Sequence, residues 1–217
     1  MAKYISPDEF ISYTNGHAYD MDGSYGVQCV DGIKKFAYDV YGEYKFDCGS
    51  CGYAYGLWTN YGSNGVEKYF NKHPYSEARK GDWIVWNWGS ESCKYSHVAM
   101  FIENKSNTVV TAYGQSQDGI KAFNFCNIYR DGILGVLRPK IYEENSFLPE
   151  RGWFQYGDSG ANVSKIDDWF ANKVVGDWYG DYTVACVKEF QRQNGLEQDG
   201  CIGPITLQKM LEQGFKE

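Results

Sequence analysis

The period of the hydrophobic positions changes along the 217-residue chain. After Cys29, the residues Val30, Ile33, Phe36, Ala37 and Val40 recur at intervals of three and four, the spacing of one apolar helix face, and Gly42 offers a stop. Cys29 therefore falls at or just before a helix N-terminus. From residue 81 the pattern becomes strand-like: "GDWIVWNWG" (81–89) alternates, and "SHVAMFIE" (96–103), "TVVTAYG" (108–114) and "GILGVLRP" (132–139) follow as short β-rich runs. Helix first and sheet later predicts an α+β fold.

Residues 141–156 carry no clear periodicity and read as a linker. Beyond them lies a weak repeat. Gly180 and Gly203, and likewise Thr183 and Thr206, stand 23 residues apart, and each Gly-x-x-Thr leads into a helical run. Thr is a competent helix N-cap and is expected to play that part here. A segment of this size forms a small helical bundle, near the lower limit for independent folding. The expected organisation is residues 1–140, a linker over 141–156, and a small three-helix domain over 157–217.

Composition adds that a packed core is available, with 43% hydrophobic and 18% aromatic residues. Seven Trp and 19 Tyr exceed what a core ordinarily takes, which points to surfaces that stack on flat or sugar-like ligands. The net charge is −7, and residues 141–217 carry 7 basic against 13 acidic side chains. Nucleic-acid binding, which needs a basic face, is not expected. No apolar run is long enough to span a bilayer, and "MAKYISPDEF" has no signal-peptide core, so free thiols are expected among the seven cysteines.

The candidate chemistry concentrates in "DMDGSYGVQCVD" (20–31). Counted from Asp20, oxygen-bearing groups occupy the positions of a calcium loop: Asp20, Asp22, Ser24, the Gly26 carbonyl and Asp31. Tyr25 stands at the sixth place, where such loops carry glycine. Directly inside this loop, Cys29 at a helix start is a candidate nucleophile, because a helix dipole favours the thiolate. A thiol nucleophile needs an imidazole partner. Of three histidines, His73 precedes a proline in a polar stretch and His17 lies near the acidic loop, whereas His97 opens a strand that can aim it at a helix terminus. "CGSC" (48–51) competes as a redox pair or as half a zinc site with Cys93 and Cys126, although "GYAYGLW" after it is a poor helix start.

Together, "DMDGSYGVQCVD" with its helix, "KGDWIVW" (80–86) and "SHVAMFIE" resemble a CHAP domain, the cysteine- and histidine-dependent amidohydrolase/peptidase family of papain-like fold, in which N-terminal helices pack on an antiparallel sheet. The resemblance covers about residues 4–140. It implies Cys29 as nucleophile, His97 as base, Gln28 as an oxyanion-site residue, and a structural Ca²⁺ in the acidic loop that braces the segment carrying Cys29. The family's acidic partner after the histidine strand is missing from "YGQSQDG"; Gln115 is the expected orienter of the imidazole, with Ser116 its rival.

The tail, through "GDSGANVSKI" (157–166) and "VKEFQRQNGLEQDGCIGPITLQKML" (187–211), resembles a small peptidoglycan-binding domain. A wall-cleaving domain followed by a wall-binding one is the plan of a phage endolysin. That plan implies peptidoglycan as substrate and partner, Trp153 and Trp178 as wall-binding aromatics, no membrane insertion, a monomer, and residence in the host cytoplasm until a holin pore opens. The cut bond is expected to be an amide, as in an N-acetylmuramoyl-L-alanine amidase or a stem or cross-bridge endopeptidase. A non-catalytic calcium-dependent wall-binding protein and a general papain-like protease are the alternatives.

Overall fold

The computed structural model describes residues 5–87, 89, 95–143, 147–149, 151–171 and 176–216. The chain divides into two units, residues 1–143 and 144–217.

In the first unit, α1 (Pro7–Thr14) and α2 (Cys29–Tyr41) precede a short α3 (Gly56–Thr59) and six strands: β1 (Phe70–His73), β2 (Trp83–Trp86), β3 (His97–Asn104), β4 (Val109–Gly114), β5 (Asn124–Tyr129) and β6 (Ile133–Pro139). The unit ends in α4 (Lys140–Glu143). The strands form one antiparallel sheet in the order β1-β6-β2-β3-β4-β5. Helix α2 spans the apolar period read from the sequence, and Gly42 ends it in the left-handed conformation at φ 76°. Left-handed backbone at a helix end is where glycine carries no steric penalty.

All four residues of β2 are buried, because the sheet is covered on both faces. Trp83 and Val85 join the core that Phe10, Ile33, Phe36 and Ala37 of the helices complete. Ile84 and Trp86 join a second cluster with Ala99, Phe101, Val110 and Val136. Alternation in β2 therefore distributes side chains between two apolar layers rather than between core and solvent. A buried pair, Arg138 with Asp82 at 2.8 Å, ties β6 to the residue before β2.

The second unit holds α5 (Ala161–Ala171), α6 (Asp181–Gln193) and α7 (Pro204–Glu212) around Val163, Ile166, Tyr179, Val187, Phe190, Leu207 and Met210. The expected three-helix bundle is therefore present. The expected Thr N-caps are not. Gly180 and Gly203 are the N-caps, and Thr183 and Thr206 stand in the first turns, buried. Burial diverts their hydroxyls: Thr183 donates to Asp167 Oδ1 at 2.6 Å, and Thr206 accepts from Gln191 Nε2 at 3.2 Å. The segment expected as a linker is divided between the units. Lys140–Glu143 is the helical end of the first, whereas Phe147 and Phe154 are core residues of the second.

Candidate active site

Two segments meet at the start of α2. The first is the stretch from Asp20 to Gln28. The second is the end of β4 with the turn that follows it, residues 115–121, and hydrogen bonds clamp the two together. Gln115 Nε2 donates to the carbonyls of Tyr19 (2.7 Å) and Gln28 (2.8 Å), and its Oε1 accepts from the Tyr19 N–H (3.2 Å). Ser116 Oγ donates to the Val27 carbonyl at 2.7 Å, which also accepts from Lys121 Nζ at 3.0 Å. The turn is a two-residue hairpin: Gln117 and Ile120 exchange both backbone hydrogen bonds, and Asp118 and Gly119 sit between them at φ 51° and 73°. An Asp-Gly pair suits two consecutive left-handed residues.

Cys29 is the first residue of α2, half-buried, and the His97 imidazole lies close enough to its thiol to shift the pKa of both groups. Burial raises the thiol pKa. The opposing charge and hydrogen bond of His97, with the N–H groups of Val98 and Val30, outweigh it, so the net shift is downward. For His97, burial lowers the pKa, but Cys29 and then Gln117 more than offset this, and the net shift is upward. Both directions favour a thiolate–imidazolium pair.

The second nitrogen of His97 settles which atom faces sulfur. His97 Nε2 lies 3.0 Å from Gln117 Oε1. The Gln117 amide nitrogen is engaged by two acceptors, the Asn124 carbonyl at 2.7 Å and Asn124 Oδ1 at 3.0 Å, so its oxygen is the end turned to the imidazole. An amide oxygen only accepts, so Nε2 carries the proton and Nδ1 is left for Cys29. The Trp86 ring, centred 5.7 Å from the imidazole, packs beside it.

The expectation that Gln115 orients the imidazole is therefore corrected: Gln117 makes that contact, while Gln115 and its rival Ser116 hold the backbone in front of the nucleophile. Gln28 is the N-cap of α2, extended at φ −130°, ψ 166°, and its N–H donates to Asp31 Oδ2 at 2.9 Å.

In the acidic loop, carboxylate oxygens of Asp20, Asp22 and Asp31 lie within 4.8 Å of one another. Asp31 is buried and spans the loop, its other oxygen accepting from the Met21 N–H at 3.1 Å. Burial raises its pKa, and the neighbouring Asp22 charge adds to this. Asp20 and Asp22 accept from the N–H groups of Gly23 (2.8 Å) and Ser24 (2.9 Å). The Lys34 ammonium, almost wholly buried, pairs with Asp22 Oδ2. An ammonium drawn into this position marks a local field that favours a cation, and three hard oxygen donors match the chemistry of Ca²⁺. Gly26 is left-handed at φ 68° within the same turn.

The other candidates separate from this site. Cys93 lies outside the described residues. Among the described residues the Asp20–Asp22–Asp31 group is the one cluster of metal-ligating side chains, so Cys48, Cys51 and Cys126 are not gathered into a zinc site. Both cysteines of "CGSC" are free thiols. His73 bonds to Glu77 (2.9 Å) and Glu143, and His17 Nδ1 to the Asn15 carbonyl (3.1 Å). In the second unit Trp153 and Trp178 are exposed, and Trp178 meets Tyr156 edge-on with ring centres 6.2 Å apart.

Residues 18–116 match the profile of the CHAP domain, and residues 159–210 that of a putative peptidoglycan binding domain. A D-alanyl-L-alanine endopeptidase of Streptococcus phage B30 is 31% identical over 166 residues, which is 76% of this chain. The chain spans 36% of that relative's length. Among solved structures, a wild-type endolysin, LysIME-EF1, superposes with a TM-score of 0.48 at 20% identity, covering 63% of this chain and 65% of that one.

Proposed function

The chain joins a CHAP domain to a putative peptidoglycan binding domain, and on that premise we propose that it is a peptidoglycan hydrolase cutting amide bonds through Cys29. The observation that carries the reading is the grouping of Cys29, His97 and Gln117 at the N-terminus of α2, with His97 Nε2 held by Gln117 Oε1 at 3.0 Å.

In the proposed reaction the Cys29 thiolate adds to the amide carbon. The oxyanion that forms is met by the Cys29 N–H at the start of α2, with Gln28 as the candidate second donor. His97 gives its Nδ1 proton to the departing amine, leaving a thioester. The imidazole then takes a proton from water, whose oxygen displaces the sulfur. Gln117 keeps Nε2 protonated and so holds Nδ1 toward sulfur through both halves. An amide does this without adding a negative charge, and the charge balance of the pair stays local to Cys29 and His97.

Asp20, Asp22 and Asp31, with Ser24 and the Gly26 carbonyl, are the proposed holders of a structural Ca²⁺, whose bound charge would neutralise the carboxylates and stiffen the loop in front of Cys29. The second unit is proposed as the wall anchor, through exposed aromatics including Trp178 and Trp153. No helix among the described residues is long and apolar enough to cross a membrane.

The test is digestion of purified Gram-positive walls by the full chain, followed by mass spectrometry of the fragments. New amino termini within the stem or cross-bridge identify an endopeptidase, and separation of L-alanine from muramic acid identifies an amidase. Release of neither, under conditions where Cys29 is reduced, rejects the hydrolase.

A further inference from the structure

Tyr25 is an anomaly of the acidic loop. Its backbone is left-handed at φ 63°, between Ser24 and the left-handed Gly26. The chain places glycine at the two neighbouring positive-φ positions of the loop, 23 and 26, but here it places a bulky aromatic, for which that conformation is a steric outlier. The side chain gives the fold nothing in return: it is 91% exposed, and no hydrogen bond, ring contact or ion pair engages it among the described residues. Local stability would be served by glycine.

The surroundings connect this position with the reaction centre. Tyr25 is four residues before Cys29, a span of at most about 14 Å of extended chain. Val27 and Gln28, between the two, are pinned by Ser116, Lys121 and Gln115, neighbours of the residue that holds His97. The chain is thus anchored beside the nucleophile from two residues beyond the ring onward. Asp20 and Asp22 beside it disfavour an anionic ligand group, whereas a tyrosine face suits the apolar and planar parts of a peptide.

We propose that Tyr25 is a specificity-determining residue that contacts the peptide segment flanking the scissile amide. The inference rests on the hydrolase reading. It also accounts for the strained backbone: the position is kept for what the ring binds.

The test uses the full chain, wild type, Tyr25→Gly and Tyr25→Phe. Three readouts are taken: kinetics of amine release from purified wall, inhibition of that release by a sugar-free stem peptide from the same wall, and the rate of Cys29 alkylation by iodoacetamide. In Tyr25→Gly the KM for wall and the inhibition constant of the peptide should both rise about tenfold, the value of one aromatic contact. Tyr25→Phe should stay near wild type, Cys29 alkylation should be unchanged, and Tm should hold or rise because the left-handed strain is removed. An unchanged KM overturns the proposal. So does a raised KM with an unchanged peptide inhibition constant, which moves the contact to the glycan, or a stem peptide that does not compete with wall in the wild type. Loss of Tm together with slowed alkylation would make Tyr25 structural and equally overturn it. A wild type that releases no amine instead rejects the hydrolase reading.

Discussion

The start of α2 and the "CGSC" turn each place a cysteine at the head of a helical turn, and the two thiols ionise in opposite directions. Cys29 is the first residue of a 13-residue helix, and its pKa is lowered. Cys48 caps the single 3₁₀ turn Gly49–Cys51, and its thiol is pushed up to about 12, first by burial and then by the charges of Cys29 and other anionic neighbours. Helix position alone does not explain the difference, and neither does burial, which raises both. The imidazole does: Cys29 has His97, whereas around Cys48 the carbonyl is engaged by Asn60 and Cys51, and the Lys34 charge that lowers its thiol is outweighed by burial and the neighbouring anions. A cysteine becomes a candidate nucleophile through what faces its sulfur.

The largest expected effect separates these two directly. Cys29→Ser should reduce wall lysis by roughly a thousandfold or more, since a serine hydroxyl beside the same imidazole is not ionised. Cys48→Ser should retain lysis and cost some stability, because a buried sulfur is exchanged for a hydroxyl. Equal loss in both variants, at equal Tm, would erase the distinction between the two sites.

The next effect concerns the origin of the low thiol pKa. In the wild type, Cys29 alkylation should stay fast as pH falls below the ordinary thiol range and decline only through the depressed thiol pKa. The sign follows from the pair: the lowered thiol pKa keeps the thiolate present below the ordinary thiol range, and the raised imidazole pKa keeps its cationic partner to higher pH. In His97→Ala the decline should move to higher pH, with a rate at pH 6 about tenfold or more lower. An alkylation profile unchanged by that substitution would mean that the helix terminus alone acidifies Cys29.

How much of this could be read from the sequence depends on the range of the interaction. The α2 period, Gly42 and the strand starting at His97 are local patterns, and they were legible. Strands β1 and β5 were not, since "FNKH" and "NFCNIY" are short and mix polar with apolar residues, and sheet pairing rather than pattern makes them strands. The imidazole's partner was missed for a different reason. Gln115 and Gln117 have the same parity, so extending the alternation of β4 cannot choose between them. The choice comes from the Asp118–Gly119 turn and from Asn124 across it, which together set the Gln117 amide. The repeat in the tail was visible, but the Thr caps were misjudged because burial, invisible in sequence, turned both hydroxyls inward.

Those two glutamines give a smaller, sharper test. Gln117→Leu should lower kcat about tenfold, the value of one hydrogen bond to the imidazole, and also lower Tm, because the Asn124 acceptors lose their donor. Gln115→Leu should lower Tm but leave kcat near wild type. It leaves the Tyr19 and Gln28 backbone groups without their partner, a cost of about 2 kcal/mol in stability, while the imidazole keeps Gln117. Reversed outcomes would restore Gln115 as the orienter.

The smallest expected effect asks whether the acidic loop belongs to the Cys29 side of the comparison. The loop's carboxylates reach α2 through Asp31, which accepts from the Gln28 and Met21 N–H groups, and through Lys34. A cation held by Asp20, Asp22 and Asp31 should therefore steady the helix start and leave the "CGSC" turn untouched. With free Ca²⁺ at ten times its Kd, the native state gains about 1.4 kcal/mol by mass action, a Tm rise of a few degrees. Chelation should remove that gain and slow Cys29 alkylation and wall lysis together, while Cys48 alkylation in the denatured control stays constant. Asp20→Ala should reproduce the chelated state and lose the response to added Ca²⁺. Calorimetry that detects no Ca²⁺ uptake, or chelation that lowers Tm without touching Cys29, would detach the loop from the nucleophile and leave the thiol's acidity to His97 and the helix terminus alone.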